Sequence, residues 1–542
     1  MTYDVAIIGG GVNGTGIARD CAMRGLKVIL LEKRDIASGA SGASSGMIHG
    51  GLRYLMNDLE TTRRACLDSG YIQKICPHLL FRIPFIMPIP KKKMKFYMEL
   101  VETYLEAYDS FAPLKRGKPH IRLTPEDVRK IEPGVTPDIH GGIMFDEWGI
   151  DGHRLCFLNA LSAQEHGAEV RTHTEVIEFL RGQSEKEVIG VRVKDAFTGS
   201  TEEIRARIVM NAGGSWLSKV AQKAGVEVKI RPGKGIHLVL DRKLSHIGVM
   251  ATAIDGRSIF VIPHENVSLI GTTDDDYYGD LDTLSATEDE VEYLLEGTER
   301  ALPDIRKARI VTTTVGIRST LYEYGKYEDD LTREHRIYDH ESEHGLRGLM
   351  TIAGGKLASY RLMSEEATDM ICAKLGLKKS CRTHLEPLPG SEEQVDIHSL
   401  AQEYRIHPYA MSRLVYRHGC RARSILELTK DHPSWRSLIC SCEPVMEAEL
   451  RWCIREEWAR CLEDIRRRTR LGFGPCQGMA CAGKAAMILA DELGLSPEQA
   501  REGLRKFLAL GRRERAPILR GDQMAQEELL HAIYPLPLLG GG

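Results

Sequence analysis

The stretch that decides the fold is residues 3–35, "YDVAIIGGGVNGTGIARDCAMRGLKVILLEKRD". Apolar residues at Val5–Ile8 predict a short strand, and a run of glycines predicts a tight turn after it. The pattern then predicts a helix to about Arg24 and a second strand over Val28–Leu31 that ends at Glu32. This strand, turn, helix and strand predict a nucleotide-binding βαβ unit at the start of the chain.

The glycine spacing fits that unit because each glycine meets a different steric need. Gly9 permits the tight turn, Gly11 lets the backbone approach a pyrophosphate, and Gly14 lets helix and strand pack closely. The helix N-terminus then offers unpaired N–H groups to the phosphates. Glu32 stands where a carboxylate accepts hydrogen bonds from a ribose hydroxyl. The sequence therefore predicts a dinucleotide site built from these four residues.

NAD and FAD both use this fold, and the following stretch favours FAD. Residues 35–55, "DIASGASGASSGMIHGGLRYL", are rich in small and hydroxyl side chains. Such a segment lets the backbone lie close to an extended, buried cofactor.

The words "SSGMIHGGLRYL" resemble the flavin-adjacent segment of FAD-dependent glycerol-3-phosphate dehydrogenases, within the D-amino-acid-oxidase-like flavoproteins. Further matching motifs follow in the order in which they occur in that family, and they extend the resemblance over about residues 1–375. They are "VMNAGGSW" (209–216), "GKGIHLVL" (233–240), "VIPHENVSLIGTTD" (261–274), "TVGIRS" (314–319), "LTREHRIYD" (331–339) and "IAGGKLASYR" (352–361).

The resemblance implies roles for individual residues. It implies substrate contacts for Arg53, Tyr54, Arg318 and Arg333, a flavin-side position for Lys356, and FAD contacts for Ser44, Ser45, Gly213, Gly354 and Gly355. The glycine pair before the helix-like run from Lys356 either aims a helix N-terminus at the flavin or is a simple strand-to-helix turn.

The chemistry of a glycerol phosphate can be argued independently of the resemblance. Its two negative charges call for fixed cations, preferably arginine, whose planar fork matches phosphate oxygens. Oxidation at the secondary alcohol moves a hydride to flavin N5 and removes the hydroxyl proton, so a base is needed. His237 is our first choice for this base and His49 the second, with a role in positioning substrate as the alternative for His237.

The order of the motifs predicts an α/β protein with a discontinuous FAD domain of Rossmann type. We assign residues 1–80, 200–215 and 350–385 to the FAD domain, and 80–200 and 215–350 to a substrate domain on a mixed or antiparallel sheet. Prolines, a glycine and charges at 385–394 predict a linker over 385–430. A small, mostly helical cysteine domain then covers 431–495, and a helical extension covers 496–542.

Two close cysteine pairs lie in the cysteine domain. Cys440 and Cys442 form a CxC, and Cys476 and Cys481 a CxxxxC thirty-three residues later. Four thiolates in two loop-borne pairs suit a small metal centre, and the pattern resembles the bacterioferritin-associated ferredoxin-like [2Fe-2S] domain fused to flavoprotein dehydrogenases. Zinc and a purely structural role remain open alternatives. Arg466, Arg467, Arg468 and Arg470 are interpreted as a solvated face, with support of an anionic cluster or docking of an acidic partner as the alternative.

Composition limits the partners and the location. The net charge of −3 gives no reason to expect nucleic acid, and thirteen cysteines in 542 residues favour free thiols and metal ligands in the cytoplasm. Lysines beside apolar residues in 79–108 suggest peripheral contact with the inner face of the cell membrane. The alternative for this segment is an ordinary helix packed by Phe96, Leu100 and Tyr104.

A two-electron flavin and a one-electron cluster on one chain suggest a dehydrogenase coupled to a respiratory chain. Nearly the whole chain resembles the catalytic subunits of anaerobic glycerol-3-phosphate dehydrogenases, although "ASSGMIHGGLRYL" is closer to the aerobic enzymes that consist of one subunit. The resemblance implies sn-glycerol 3-phosphate as substrate, further flavin or iron–sulfur subunits, and a quinone. Two alternatives remain: an amine or 2-hydroxy-acid oxidoreductase of the same fold, and a non-catalytic electron-relay subunit.

Overall fold

The computed structural model describes residues 1–52, 55, 59–94, 96–326, 331 and 334–533. The strands are β1 (Thr2–Ile8), β2 (Val28–Leu31), β3 (Leu80–Pro90), β4 (Ile121–Leu123), β5 (Ile139–Ile150), β6 (Glu169–Arg171), β7 (Thr174–Arg181), β8 (Val188–Asp195), β9 (Thr201–Asn211), β10 (Ile230–Leu240), β11 (Gly248–Thr252), β12 (Ser258–His264), β13 (Val267–Gly271), β14 (Asp275–Asp276), β15 (Ile310–Leu321), β16 (His335–Asp339), β17 (Leu349–Gly354), β18 (Leu438–Cys440) and β19 (Val445–Met446). The helices are α1 (Val12–Met23), α2 (Leu59–Ile75), α3 (Tyr97–Asp109), α4 (Pro125–Ile131), α5 (Gly152–Glu165), α6 (Leu217–Lys223), α7 (Glu288–Glu299), α8 (His340–His344), α9 (Tyr360–Leu375), α10 (Ile397–Tyr404), α11 (Pro408–His418), α12 (Ala422–Asp431), α13 (Glu447–Arg455), α14 (Leu462–Thr469), α15 (Ala482–Leu493), α16 (Pro497–Arg515) and α17 (Asp522–Ile533).

The first sheet is built around β1, whose apolar residues Val5–Ile8 are buried. Its strands run in the order β16-β17-β9-β1-β2-β6, and β8 and β7 continue antiparallel from β9. The pairs around β1 are parallel, and α1 and α5 cover one face together with α9. Because parallel strands place their carboxyl ends at one edge, the turns after β1, β2 and β9 meet there. The predicted α/β fold is confirmed.

The second sheet is mostly antiparallel and carries the other half of the fold. Its order is β14-β10-β13-β12-β11-β3-β5-β4, and β15 pairs with β10 on the other side. Its apolar residues, such as Ile236 and Leu238 on β10, form a separate core with α7. The long β10–β15 pair extends toward the first sheet, since Ser215 after β9 donates a hydrogen bond to the carbonyl of Ile317 on β15.

The C-terminal part is mostly helical from α10 up to residue 533, apart from the short antiparallel pair of β18 and β19. The sequence predicted a linker over 385–430, but this region contains α10, α11 and α12, which pack with Met446 and Ala448 into one apolar core. The prolines and charges at its start mark only the irregular stretch before α10. The helical periodicity beyond that stretch was therefore missed.

The arginine run on α14 was also misread, because it is buried and not solvated. Arg468 is 1% exposed and donates to both carboxylate oxygens of Asp35 at 2.6 and 2.7 Å. Arg467 donates to the same carboxylate at 2.8 Å. Asp35 is 0% exposed and lies four residues after the end of β2 at Leu31. A buried carboxylate needs such compensation, so the cysteine domain docks directly onto the nucleotide-binding unit.

Burial alone would raise the pKa of Asp35, but Arg468 and Arg467 outweigh it and hold that pKa below its usual range. A second buried pair continues the same interface. Arg154 on α5 donates to Glu457 at 2.7 Å, and the ring of Phe157 lies between the guanidinium groups of Arg154 and Arg468. The two domains thus share a continuous buried charge network.

The segment before and along α3 differs in part from the packed-helix alternative. Phe96 is 59% exposed and Leu100 60% exposed, whereas Met98, Leu105 and Tyr108 are buried. Phe96 and Leu100 are therefore open to solvent beside polar residues such as Glu99, whereas Tyr104 packs in the apolar cluster of Leu105 and Tyr108, as the packed-helix alternative expected. None of the helices in the described residues combines the length and the apolar character that a membrane span requires.

We predict that replacing Arg468 with methionine lowers the free energy of unfolding by about 3–5 kcal/mol, because it leaves the Asp35 carboxylate buried and short of a partner. Urea unfolding followed by circular dichroism measures this change. Arg192→Met is the matched control, since that exposed ion pair contributes less than about 1 kcal/mol. Equal stability of the Arg468→Met variant and the parent would contradict the buried pair.

Candidate flavin and thiol sites

The glycine turn after β1 has the close packing that a dinucleotide requires. A Cβ atom on Gly14 would lie 1.9 Å from the carbonyl oxygen of Gly9, and one on Gly9 would lie 2.5 Å from that of Ala212. Gly9 has a φ of +110°, in the region that glycine alone adopts readily. Gly11 is the N-terminal cap residue of α1, so the first N–H groups of that helix face the space beyond the turn. No residue with a side chain fits at position 9 or 14 without a clash with the backbone.

Glu32 lies against this turn as predicted from its position after β2. Its carboxylate accepts the N–H of Gly10 at 2.6 Å and that of Arg34 at 2.8 Å. The side chain is nearly fully buried, and this burial raises the pKa of its carboxyl group. Ser41 accepts the N–H of Val12 at 3.0 Å and closes the other side of the turn. The residues present fit the adenosine half of a dinucleotide.

Gly213 and the glycine pair after β17 complete this edge of the first sheet. The N–H of Gly213 donates to Asn211 at 3.1 Å. Gly354 and Gly355 have φ values of +79° and +89°. A short 3-10 turn follows Lys356, and α9 begins only at Tyr360, four residues later than the sequence suggested. The glycine pair therefore belongs to the connection between β17 and α9, and α9 does not begin at the glycines.

The flavin-side loop meets the second sheet at His237. The Ser45 hydroxyl lies 2.8 Å from Nε2 of this ring, and the Thr314 hydroxyl lies 3.5 Å from Nδ1. Burial, with a smaller contribution from the nearby Arg318, lowers the pKa of His237 to about 3. Gly271 is required opposite it, because a Cβ there would lie 2.2 Å from the ring. The imidazole is therefore neutral at physiological pH and held between two hydroxyl groups.

Arg318 lies beside this histidine with its guanidinium about one-third exposed. It donates to the carbonyl of Thr273 and to the hydroxyl of Thr272, both at 3.2 Å, and pairs with Asp274 at 3.2 Å. Gly235 opposite has no room for a side chain, since a Cβ would lie 2.7 Å from the guanidinium. These contacts fix the direction of the cation. Ser45, His237 and Arg318, predicted separately, are thus brought together.

His49 lies in the same loop as Ser45. The N–H of Gly51 donates to Nδ1 of its ring at 3.0 Å. A neutral imidazole that accepts at Nδ1 carries its proton at Nε2. The arrangement makes His49 a hydrogen-bond donor at Nε2. The predicted residues Arg53, Tyr54 and Arg333 lie outside the described residues.

The four predicted cysteines come together although their two pairs are thirty-three residues apart in the chain. Cys481 interacts with both Cys440 and Cys476, and Cys442 interacts with Cys476. Hydrogen bonding by Cys481 lowers the pKa of Cys476 to about 5 and that of Cys440 to about 7. We call these four residues the thiol quartet. Cys440 and Cys481 lie in the apolar core of the cysteine domain, whereas Cys442 and Cys476 are partly exposed.

Backbone N–H groups converge on the quartet. Those of Glu443 and Gly472 point to Cys440, and that of Gly478 points to Cys476. Gly472 and Gly478 have φ values of +82° and +88°, which direct their N–H groups inward. Such concavities bind anionic groups, including iron–sulfur clusters. The residues present therefore fit an anionic thiolate centre.

Two other compact groups of potential metal ligands occur among the described residues. One joins His173, Cys461 and Asp464, and the other His418, Cys453 and Glu457. Each includes a carboxylate already paired with arginine: Arg467 contacts Asp464 at 3.5 Å, and Arg154 contacts Glu457 at 2.7 Å. Guanidinium groups at these distances oppose a metal cation, so both groups belong to the docking network.

The loop that carries Ser45 and the thiol quartet are joined by packed side chains. The ring of His153 lies against Gly42, where a Cβ would be 2.1 Å from it. The rings of His153 and Phe473 have centroids 6.0 Å apart. The next residue, Gly474, contacts Cys442, since a Cβ there would be 2.3 Å from that side chain. The two candidate sites are thus contiguous through protein.

Comparison with known proteins agrees with this geometry. Residues 4–361 match the family described as FAD dependent oxidoreductase, and residues 381–500 match the C-terminal domain of alpha-glycerophosphate oxidase. The anaerobic glycerol-3-phosphate dehydrogenase of Escherichia coli K12 has a subunit that is 34% identical over 98% of this chain and 96% of its own length. The chain belongs to the FAD-dependent glycerol-3-phosphate dehydrogenase family. FAD as the cofactor of the family is confirmed.

One further relative supports this placement, and one solved structure supports the fold. A subunit of the anaerobic glycerol-3-phosphate dehydrogenase from Haloferax volcanii is 32% identical over 90% of this chain and 83% of its own length. The X-ray structure of a glycerol-3-phosphate dehydrogenase from Bacillus halodurans complexed with FAD superposes with a TM-score of 0.76 and 23% identity, covering 96% of both chains. The latter likeness shows the fold.

Several residues of the two sites were missed from the sequence. Asp35, His153 and Phe473 connect the domains, and no local pattern marks them because their partners are distant in the chain. Thr272 and Asp274 belong to the motif "VIPHENVSLIGTTD" that carries part of the family resemblance, but neither was predicted as a site residue. The only local signal for these two is a cluster of polar residues directly after a strand.

We predict that Gly14→Ala prevents FAD binding, because the new methyl group would clash with the Gly9 carbonyl. The absorbance ratio of flavin to protein in the purified variant measures this. Gly503→Ala on α16 is the matched control, since no atom lies within 4 Å of a Cβ there. Full flavin content in Gly14→Ala would show that the turn does not hold the cofactor.

Proposed function

We propose that this chain oxidises sn-glycerol 3-phosphate to dihydroxyacetone phosphate and passes the electrons through a [2Fe-2S] cluster to a quinone-linked partner. The observation that carries the proposal is the contiguity of the two candidate sites. The loop bearing Ser45 meets Arg318 and His237 on one side and, through His153 and Phe473, the thiol quartet on the other. A one-electron centre behind a flavin is what a respiratory dehydrogenase needs.

Arg318 is proposed to bind the phosphate, with Arg53, Arg333 and Tyr54 as further contacts and Lys356 on the flavin side. Its guanidinium is held in direction by Thr272, Thr273 and Asp274 but remains partly exposed. A planar fork held in this way suits two phosphate oxygens. Asp274 would be displaced or shared when a dianion binds.

His237 is proposed as the base and His49 as a hydrogen-bond donor. A base must be unprotonated, and His237 is neutral with a pKa of about 3 in the free protein. A dianionic substrate beside the ring would stabilise its protonated form and raise that pKa. His49 cannot accept a proton at Nε2 while Gly51 donates to Nδ1. This difference favours His237 for the proton and His49 for orienting the substrate oxygen.

The glycines at positions 9, 11, 14, 213, 354 and 355, with Glu32, Ser44 and Ser45, are proposed to hold FAD. When bound, FAD supplies N5 as the hydride acceptor, and a [2Fe-2S] cluster supplies a one-electron outlet. Around the bound FAD the protein would exclude water and hold the donors Arg318 and His49 in place.

The geometry of the quartet favours a two-iron cluster over zinc. A single tetrahedral ion with bonds of about 2.3 Å brings its four sulfurs within about 4 Å of one another. In the part of the chain that the structure describes, no three of these sulfurs form a group whose atoms all lie within 4.8 Å. Their contacts instead run in a line from Cys440 through Cys481 and Cys476 to Cys442. An elongated centre fits this line better.

The name of the Escherichia coli relative identifies it as one subunit of an enzyme, so we propose that this chain also works with further subunits. Those subunits would carry electrons from the quartet to the quinone. Cys442 and Cys476 are partly exposed, which leaves the quartet close enough to the surface for transfer to a docked protein.

The proposed activity predicts rapid bleaching of the flavin when sn-glycerol 3-phosphate is mixed anaerobically with the protein, as measured by stopped-flow absorbance. Glycine, D-alanine and 2-hydroxyglutarate are the controls and should leave the flavin oxidised, since they lack the phosphate that Arg318 binds. Bleaching by one of these compounds alone would favour the amine or 2-hydroxy-acid alternative. No bleaching by any compound would favour an electron-relay subunit.

The same preparation separates the cluster from zinc. We expect iron and acid-labile sulfide in equal amounts, with both lost in Cys476→Ser while flavin bleaching by substrate is retained. Zinc without sulfide in the parent protein would overturn the electron outlet but not the dehydrogenase activity.

We also propose that the surface around α3 contacts the inner face of the membrane. It comprises Lys91, Lys92, Lys93, Met94, Phe96 and Leu100. Met94 is 66% exposed, so three large apolar side chains project beside three lysines. Each lysine near an anionic lipid surface contributes about 1 kcal/mol, and the apolar groups insert at the interface.

We predict that the double change Phe96→Ser and Leu100→Ser removes most binding to phosphatidylglycerol vesicles, measured by co-sedimentation. Leu385→Ser is the control, because this leucine is 56% exposed at a different site. Unchanged binding by the double variant would refute the α3 surface as the membrane contact.

A further inference from the structure

A buried charge network lies behind the loop that carries His49. Glu147 on β5 pairs with Lys115 at 3.0 Å, and both side chains are 3% exposed. Tyr108 on α3 donates its hydroxyl to Glu147 at 2.7 Å, and Lys115 donates to that hydroxyl at 3.2 Å. Lys115 also donates to the carbonyl of Asp146. The carboxylate is therefore surrounded by donors.

This network ends on the backbone of the flavin-side loop. The N–H of Gly50 points to the second oxygen of Glu147 at 3.4 Å. A Cβ on Gly50 would lie 2.3 Å from the Tyr108 hydroxyl oxygen and 2.4 Å from the sulfur of Cys66. The segment from His49 to Gly51 is thus pressed against the network with no room for a side chain at its centre.

Other contacts hold the same loop from both ends. Ser69 on α2 donates to the carbonyl of Ile48 at 2.8 Å, and Tyr104 on α3 donates to that of Leu52. The N–H of Ile48 bonds to the carbonyl of Trp148, next to Glu147 on β5. Three elements therefore fix the backbone on either side of His49, and Glu147 is the charged group at their centre.

A buried ion pair is seldom retained for stability alone, because apolar residues of similar volume often serve equally well. Here the pair gives a backbone N–H an acceptor that apolar residues cannot provide. We propose that Glu147, supported by Tyr108 and Lys115, is a positioning residue that sets the place of the His49 segment against flavin and substrate. The inference rests on the proposed function, since the reaction affected is flavin reduction by sn-glycerol 3-phosphate.

Glu147→Gln tests the proposal with little change of shape. A glutamine has one acceptor oxygen, so either Gly50 or the Tyr108–Lys115 side would face an amide donor instead. A misplacement of the segment by about 1 Å can cost roughly 100-fold in rate. We expect the anaerobic rate constant of flavin reduction to fall by about tenfold or more at saturating substrate, with flavin content retained.

Glu132→Gln is the matched control. Glu132 is also a buried glutamate of the substrate domain, and it accepts the backbone N–H of His246 at 2.7 Å. Both substitutions remove a buried carboxylate, so a purely structural role predicts similar losses of melting temperature and unchanged reduction rates in both. Tyr108→Phe removes one hydroxyl and leaves the ion pair, and we expect it to slow reduction to a smaller extent.

Visible circular dichroism of bound FAD reports the segment without substrate, and only the Glu147 and Tyr108 variants should alter it. A flavin spectrum and a reduction rate equal to the parent in Glu147→Gln would overturn the proposal. If that variant does not retain flavin, an unchanged spectrum and rate in Tyr108→Phe would overturn it. A parent protein that substrate does not bleach contradicts the proposed function, while the spectra still decide the positioning role.

Discussion

The buried carboxylate of Asp35 is the constraint on which the arrangement of the two domains depends. It follows Glu32 in the nucleotide-binding unit and is fully removed from water. A charge in that position must be compensated, and the compensation comes from Arg467 and Arg468 of the cysteine domain. The domain that carries the thiol quartet is therefore held against the nucleotide-binding unit by the loop that follows β2, and no swing of one domain is needed to bring the two candidate sites together.

This docking gives the rest of the account its geometry. Because α5 packs under the loop that carries Ser45, its residue His153 reaches from Gly42 to Phe473, and the quartet lies directly behind. In the second sheet β10 pairs with β15, and Gly235 on β10 leaves room for the guanidinium group of Arg318 beside His237. Behind the loop that carries His49, the supporting side chains of Glu147 and Lys115 are charged and buried. Such support is expected where a backbone must be held in place within a fraction of an ångström.

Sequence reasoning succeeded where the physical cause is local. The turn after β1 and the carboxylate that follows β2 are explained by glycine sterics and periodicity within about thirty residues. It failed where the cause is a distant partner. Arg467 and Asp35 are 432 positions apart, so the arginine run looked solvated. The exposure of Phe96 and Leu100 depends on which side of α3 packs, and the acidic pair inside the strand "IMFDEWGI" has meaning only beside Lys115 and Gly50. The substrate contacts at Arg53, Tyr54 and Arg333 stay predictions.

The central claim is that electrons from sn-glycerol 3-phosphate leave the flavin through the thiol quartet of the same chain. Freeze-quench EPR of the complete protein, mixed anaerobically with substrate and without any acceptor, tests it most directly. The account predicts that the signal of a one-electron-reduced [2Fe-2S] cluster grows in as the flavin absorbance changes. Flavin bleaching at full extent while the iron remains oxidised, or a protein without that signal even after chemical reduction, would contradict it.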